Sequence, residues 1–482
     1  MIKSVQFVNF RNLNRKYEFR ERLNIVTGVN NGGKTNLLDG IRLAFSTIDG
    51  SYFRVNKSDF FDSNDSKPIN IYVELEYNSI PSFNYEDENS KQRCGFRVRI
   101  RKTKSGYYVK ELAHYNGNPI DRDIILDDVE SIPNVYPVPL YRVEDLYTPG
   151  LSVGLASFLD SEEGYGEIKE KARESIKREI SAKENKFKEL TSSFANNLNI
   201  EVANPSISNE KLFIVDGDRE HSANIGTGYR SIANMFLCTL DDKTNILLID
   251  EIENHIHPSL LRSLIRKLDS IENLFVIATT HSPVVLNESK IESLIEISCG
   301  SLNNMDSETI RKLNTFLHPG RGELIISENI VLVEGYTEEL IIKNYVVNNN
   351  KNWTVINVAG VMFEPYVRLA HLLNKKIIVI SDDDRSNTKD GAPTKRFNSL
   401  KKLCDELSVT LVQVYNTLET ELYKEGFLNG FDDLLKKKSE TRDYMVAKSK
   451  RKTEIALKII EDGVDLSNWR VIESIEDAFR GN

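Results

Sequence analysis

This sequence is poor in cysteine: Cys94, Cys238, Cys299 and Cys404 stand far apart in a chain of 482 residues. With no C-x-x-C spacing, neither a disulfide framework nor a structural zinc site is expected, and a reducing cytoplasm fits best. Long apolar runs are missing too. The start, Met1-Ile2-Lys3-Ser4-Val5-Gln6-Phe7, alternates like a strand and lacks a signal-peptide core, and no run reaches the length of a membrane span. Nor is positive charge in excess. Sixty-three Lys and Arg against 72 Asp and Glu leave a formal charge of −9, which excludes a protein that coats nucleic acid over its whole surface but allows a local basic site. Internal repeats and low-complexity tracts are absent as well.

What is present is length enough for two or three domains, and a loop that organises the first of them. Gly28-Val29-Asn30-Asn31-Gly32-Gly33-Lys34-Thr35 fits G-x-x-x-x-G-K-[ST]. In that loop backbone N–H groups wrap nucleotide phosphates, Lys34 adds charge on the outer phosphates and Thr35 offers its hydroxyl to Mg²⁺. The flanks fit: Leu23 to Thr27 reads as a strand and Asn36 to Ala44 as a helix, whose dipole then points at the phosphates. A chance Gly-rich turn has neither flank.

Residues 1 to about 150 read as mixed and strand-rich, with period-two patterns at 5–10, 69–77 and 96–100. Residues 161–190 turn to Glu, Lys and Arg with a narrow apolar stripe: either a surface helix on its own domain or an inserted arm that pairs with a second subunit. Strands return at 211–215, 245–249 and 273–278 with helices between, the pattern of a buried parallel sheet. A polar stretch from Ser301 to Glu323 reads as a connection. Beyond it come a strand at 329–333, a helix at 338–347, a strand at 353–358, a helix at 364–373 and a strand at 376–380.

The strand at 245–249 ends in Asp250-Glu251, a Walker B arrangement whose first acid holds Mg²⁺ and whose second polarises the attacking water. Thr279-Thr280-His281-Ser282 follows the next strand. Loop, acids and His in this order resemble the ATP-binding-cassette ATPases of the chromosome-maintenance and recombination-repair branch. The resemblance implies Asp250 as the Mg²⁺ carboxylate, Glu251 as general base and His281 as switch histidine. The matching signature segment, Asn224 to Ser231 with Gly226 and Gly228, lacks the usual Leu-Ser-Gly-Gly. His255 and His257 fall in the family's dimer-contact loop, which favours interface residues over zinc ligands.

In the second half a strand runs into Glu334-Gly335-Tyr336-Thr337-Glu338, and another into Asp382-Asp383-Asp384. Acids at the carboxyl ends of neighbouring parallel strands converge on the crevice where α/β sheets hold ligands, and hard oxygen donors suit Mg²⁺ or Mn²⁺. This pair of motifs resembles the Toprim fold. Glu419 adds an acid after the strand at 410–414. The segment 436–458 carries nine Lys or Arg against three Asp or Glu, either an electrostatic footprint for a phosphate backbone or a solvated helix face.

Taken in order, these parts resemble the OLD (overcoming lysogenisation defect) family. The fold class expected is α/β: an ABC/SMC-like ATPase domain at 1–325 with a helical, dimerising insertion at about 155–200, a Toprim domain at 326–430, and a helical basic segment at 431–482 that completes the nuclease site. The resemblance implies an ATP-binding DNA endonuclease with Glu334, Glu338, Asp382, Asp384 and Glu419 as metal-binding acids, two Mg²⁺ or Mn²⁺ ions there and one with ATP. It matches the transition-state lysine to Lys452, with Lys448 and Lys450 in competition. As partners it implies DNA, a homodimer or tetramer through the ATPase domain, and a retron reverse transcriptase with its multicopy DNA or, in Gabija-like settings, a helicase-like protein, in antiphage defence. A regulatory ATP switch with a non-cleaving Toprim domain is the alternative. A topoisomerase or primase is weaker, since no separate tyrosine-bearing or zinc module is apparent.

Overall fold

The computed structural model describes residues 2–49, 53–80, 83–86, 91–114, 140–143, 183, 185–192, 194, 198–203, 211–216, 227–239, 246–302, 305–315, 320–360, 363–438, 444–448 and 451–480. Most of the expected insertion at 155–200 lies outside them, as do Gly226 and Lys450. The chain divides into two compact units, Met1–Ser301 and Leu302–Asn482.

In the first unit one sheet is antiparallel: β2 (Lys16–Glu18), β1 (Ile2–Val8), β4 (Ile69–Leu75), β6 (Gln92–Lys102) and β5 (Asn84–Glu86), with β7 (Tyr108–His114) also on β6. A second sheet runs β14 (Gly300–Ser301), β13 (Leu294–Glu296), β3 (Leu23–Thr27), β12 (Phe275–Thr279), β11 (Ile246–Ile249), β8 (Leu140–Val143). From β13 to β8 its strands are parallel. β3, β11 and β12 are buried along their whole length, as strands covered on both faces must be, which is why they read as unbroken apolar runs rather than alternating ones. Helix α1 (Lys34–Asp49) joins both sheets in one core with Phe7, Phe10, Leu37, Leu38, Ile41 and Phe96. β9 (Leu198–Ala203) and β10 (Lys211–Asp216) form a separate antiparallel pair. Helices α2 (Thr227–Cys238), α3 (Pro258–Ser270) and α4 (Pro283–Glu288) also belong to this unit.

The second unit opens with α5 (Ser307–Thr315) and α6 (Gly320–Ile326), where the sequence reads as a polar connection. Thr309 and Leu313, one turn apart, and Leu324 with Ile325 are buried, and packing on the unit's own core overrides the polar composition. Its sheet runs β16 (Thr354–Asn357), β15 (Asn329–Val333), β17 (Lys376–Asp382), β18 (Thr410–Val414), all parallel. Helices α7 (Tyr336–Asn348), α8 (Phe363–Leu372) and α9 (Lys395–Glu406) lie between consecutive strands; α7 and α8 fall within two residues of the helices read from the sequence, while α9 has no counterpart there. After β18 come α10 (Leu418–Lys424), the pair β19 (Leu435–Lys437) and β20 (Met445–Ala447), and helices α11 (Lys452–Glu461) and α12 (Arg470–Arg480). The basic tail is no appendage: Ile455, Ile459, Trp469 and Ile472 share one core with Val331, Val333, Ile378 and Val414.

Candidate functional sites

At the first site, β3, β12 and β11 lie side by side, so the segments that follow them open on one edge of the parallel sheet. The loop after β3 turns back on itself. Gly28 (φ 138°) and Gly33 (φ 109°) occupy backbone space that disfavours a Cβ. Lys34 folds over the loop, donating to the carbonyls of Gly28 and Val29, both at 3.0 Å. Burial depresses the Lys34 ammonium, against the pull of Glu251, Asp250, Glu253 and Glu296.

Asp250 Oδ1 accepts from Thr279 Oγ1 at 2.6 Å and from Thr35 Oγ1 at 3.3 Å. The Walker acid, the loop threonine and β12 thus meet at one point. Thr279 Oγ1 in turn accepts from the Glu251 N–H at 2.8 Å, fixing Glu251, which adopts a left-handed φ of 49°. His281 is held by its own N–H, which donates to Glu253 Oε1 at 2.6 Å, while Thr280 Oγ1 donates to Glu253 Oε2 at 2.7 Å. Burial first, then Lys34, lower the imidazole's pKa, against Glu253 and Glu251, so His281 sits within the field of both the loop lysine and these two glutamates.

Gly228 approaches the backbone after the Walker acids: a Cβ there would stand 2.5 Å from the His255 carbonyl oxygen. His257 caps α3, its Nδ1 accepting from the Ser259 N–H at 3.3 Å. The sequence reading overlooked two supports. Asn12 Nδ2 donates to the Asn31 carbonyl at 3.2 Å, and Arg11 donates to Asn36 Oδ1 at 2.7 Å and Asp39 Oδ2 at 2.6 Å. The signal was the polar Arg11-Asn12 turn following an apolar strand.

In the second unit Glu334, Glu338, Asp382 and Lys452 line one cavity of about 750 Å³ with Tyr336, Asn357, Ala359 and Gly360. Glu334 directly follows β15 and Asp382 ends the adjacent β17, so the two carboxylates face the same space. Glu338 lies in the first turn of α7, where the helix dipole favours negative charge, yet burial and the neighbouring Glu419 and Glu334 raise its pKa against its own backbone N–H and Lys452. Asp382 is pushed well above the usual carboxylate range by burial, then by Glu338, Glu334 and Glu419, with Lys452 opposing. Glu419 is fully buried, neither carboxylate oxygen has a hydrogen-bond partner, and Lys452 Nζ stands 3.5 Å away. Burial works against the Lys452 charge, but Glu419, Asp382 and Glu338 outweigh it and raise the pKa. Lys452 is therefore a fixed cation here. Lys448 instead donates to the Asp433 carbonyl.

The three consecutive aspartates divide their work. Asp383, fully buried, takes Arg385 in a bidentate pair, Gln413 Nε2 at 2.7 Å and the Asn416 N–H at 2.8 Å. Burial pushes its pKa up, but those donors together hold it below the usual value. Asp384, left-handed at φ 51°, turns to the side where Arg396 Nη2 reaches it at 3.2 Å and Glu334 Oε1 at 2.7 Å. Glu421 is structural, accepting from Arg470 at 2.7 Å and the Tyr415 N–H at 2.5 Å, which ties α12 to the end of β18. Arg396 escaped the sequence reading: a basic residue opening a charged helix has no distinguishing pattern.

Among the described residues no three His, Cys, Asp or Glu side chains already stand as a ligand cage; Arg396 and Lys452 are drawn in among the acids instead. The donor set nevertheless fits a hard divalent ion. A buried carboxylate with both oxygens unpartnered, beside two further acids at the ends of parallel strands, calls for more positive charge than one half-exposed lysine supplies.

A phosphate-loop ATPase unit followed by a parallel α/β unit with converging strand-end acids defines an ATPase–Toprim protein. Residues 23–287 match the family described as "AAA domain, putative AbiEii toxin, Type IV TA system", and residues 325–384 match "Overcoming lysogenization defect protein-like, TOPRIM domain". The chain belongs to that AAA-domain family and, with its second match, to the OLD class of ATPase–Toprim nucleases, which use nucleotide and divalent metal. Endonuclease GajA of Bacillus cereus (strain VD045) is 22% identical over 442 residues, 80% of this chain and 75% of that protein. Endonuclease GajA of Bacillus cereus (strain HuB5-5) is 25% identical over 219 residues, 37% of this chain and 32% of that protein. Among solved structures, an SMC head bound to the C-winged helix domain of ScpA aligns at 15% identity and a TM-score of 0.44, covering 61% of this chain and 94% of that one. No described helix is long and apolar enough to cross a membrane.

Proposed function

We propose that this chain is an ATP-binding, Mg²⁺- or Mn²⁺-dependent DNA endonuclease that serves in antiphage defence. The observation that carries the reading is the cavity shared by Glu334, Glu338, Asp382 and Lys452, with the unpartnered Glu419 carboxylate behind the lysine. Glu334, Glu338, Asp382, Asp384 and Glu419 are the residues that would hold two ions. Such a pair supplies stabilisation of the attacking and leaving oxygens of a phosphodiester. Lys452, kept protonated by the acids around it, places a fixed positive charge where a phosphate gains negative charge, a role for an electrostatic stabiliser rather than a base. Asp383 and Glu421 keep the strand ends rigid, and the 431–482 segment completes the site by delivering Lys452.

In the first unit, Gly28, Asn30, Asn31, Gly32, Gly33, Lys34 and Thr35 would cradle the ATP phosphates, and Asp250 with Thr35 would hold one Mg²⁺. Glu251 would orient water and His281 would face the γ-phosphate. Gly226 and Gly228 stand at the signature position and would serve a partner subunit's nucleotide in a dimer or tetramer. DNA is the substrate, and the match to proteins named endonuclease GajA supports this. A helicase-like protein or a reverse transcriptase with its multicopy DNA is the partner class.

The test is supercoiled plasmid incubated with Mg²⁺ or Mn²⁺, with and without ATP. Nicked or linear product from the native chain, lost in Lys452→Ala, is expected. Plasmid left intact under every metal and nucleotide condition points instead to a regulatory ATP switch whose Toprim domain binds without cutting.

A further inference from the structure

We propose that Arg396 is the resident counterion of the outer acids, and that a divalent ion gains Glu334 and Asp384 only by displacing it; this rests on the metal-dependent reading above. The acid cluster has two layers. Glu419 is fully enclosed and faces Lys452, whereas the Glu334 and Asp384 side chains are 20% and 25% exposed and face Arg396. One guanidinium nitrogen, Nη2, lies 2.7 Å from Glu334 Oε1 and 3.2 Å from Asp384 Oδ2. That is where an ion shared by these two carboxylates would need its charge, and two cations within a few ångströms repel strongly away from bulk water. While Arg396 stays, it takes up Glu334 Oε1, and the other oxygen, Oε2, stands 3.3 Å from Ser381 Oγ, whose single proton the Asp382 carbonyl, also at 3.3 Å, competes for.

The arginine also ties down a wall of the cavity. Its Nη1 donates to the Gly360 carbonyl at 2.7 Å, and the Gly360 N–H donates to the Glu334 carbonyl at 2.8 Å. Ala359 and Gly360, both left-handed in φ and both lining the cavity, thus share one anchor with the acids. The Arg396 side chain is 40% exposed, so it can swing to solvent without burying its charge. Metal loading and release of this loop then become one event.

The experiment is Mn²⁺ binding to the full chain without nucleotide, followed by electron paramagnetic resonance, with Glu334→Gln identifying the component that belongs to this site. For that component Arg396→Ala is expected to bind about fivefold more tightly than the native chain, the scale of a partly exposed ion pair of about 1 kcal/mol. Arg396→Lys, which keeps the charge but loses the fork, falls between them and serves if the alanine variant folds poorly. In chelator the alanine variant melts below the native chain, and Mn²⁺ raises its melting temperature further. Unchanged or weaker Mn²⁺ binding in both variants, with the native chain still binding, overturns the inference alone. No Glu334-sensitive binding in the native chain overturns the metal site and the inference with it.

Discussion

Glu419→Gln separates what the acid cluster does for stability from what it does for chemistry. The carboxylate is fully buried, neither oxygen accepts a hydrogen bond, and the cation paired with it, Lys452, is half-exposed at 3.5 Å. Burial raises the pKa of Asp382 and of Glu338, and Glu419 adds to the rise in both, so the three acids oppose one another in the metal-free chain. An unsatisfied buried polar group costs about 1–3 kcal/mol, more when charged, and a half-exposed lysine returns little. Replacing the carboxyl with an amide of the same shape is therefore expected to stabilise the metal-free second unit by about 1–2 kcal/mol. For a unit of this size each kcal/mol moves the melting temperature by about 2–4 °C. Calorimetry in chelator is the assay, paired with Mn²⁺ titration. Glu419→Gln should melt a few degrees above the native chain without metal, and fall below it once Mn²⁺ is added. A variant that melts lower in chelator would refute the reasoning, since Glu419 would then be a satisfied structural residue.

Two further outcomes follow from the electrostatics. Asp382 has a folded pKa well above its ordinary value, so above about 3.9, the ordinary carboxylate value, the folded state holds a proton that the unfolded state has lost; stability from this group is present below that value and is lost as pH rises through the folded pKa. The metal-free native chain should therefore lose melting temperature relative to Asp382→Asn as pH rises toward neutrality, and a gap that stays constant with pH counts against the assignment. In the first unit, Lys34 and burial both lower the His281 pKa, so the imidazole should titrate below 6.5 by nuclear magnetic resonance and move upward in Lys34→Ala; no movement would place the lysine outside its field.

Much of this was legible because it is local. A phosphate loop is set by the spacing from Gly28 to Thr35, and strands buried on both faces betray themselves as apolar runs with an acid at or just past their end, as at Asp250, Glu334 and Asp382. Direction is set by the parallel sheet, so residues after neighbouring strands had to converge. What escaped depends on distance along the chain. Arg396 meets Glu334 across 62 residues, Glu253 meets His281 across 28, and nothing in the neighbourhood of either marks its partner. Equally, three adjacent aspartates look alike in sequence, while the fold gives Asp383 to Arg385 and Gln413 and turns Asp384 toward Arg396. The helices at 307–315 and 320–326 were hidden by polar composition, because their apolar positions are few and matter only once packed.

On the proposed function, acids from strand ends far apart in sequence would hold divalent ions together with Lys452. The most direct measurement is anomalous diffraction from crystals of the full chain soaked in Mn²⁺. Two manganese peaks within coordination reach of Glu334, Glu338, Asp382, Asp384 and Glu419, absent from Asp382→Asn, are predicted. Manganese found only at Thr35 and Asp250, with the Toprim acids empty at saturating metal, would contradict it.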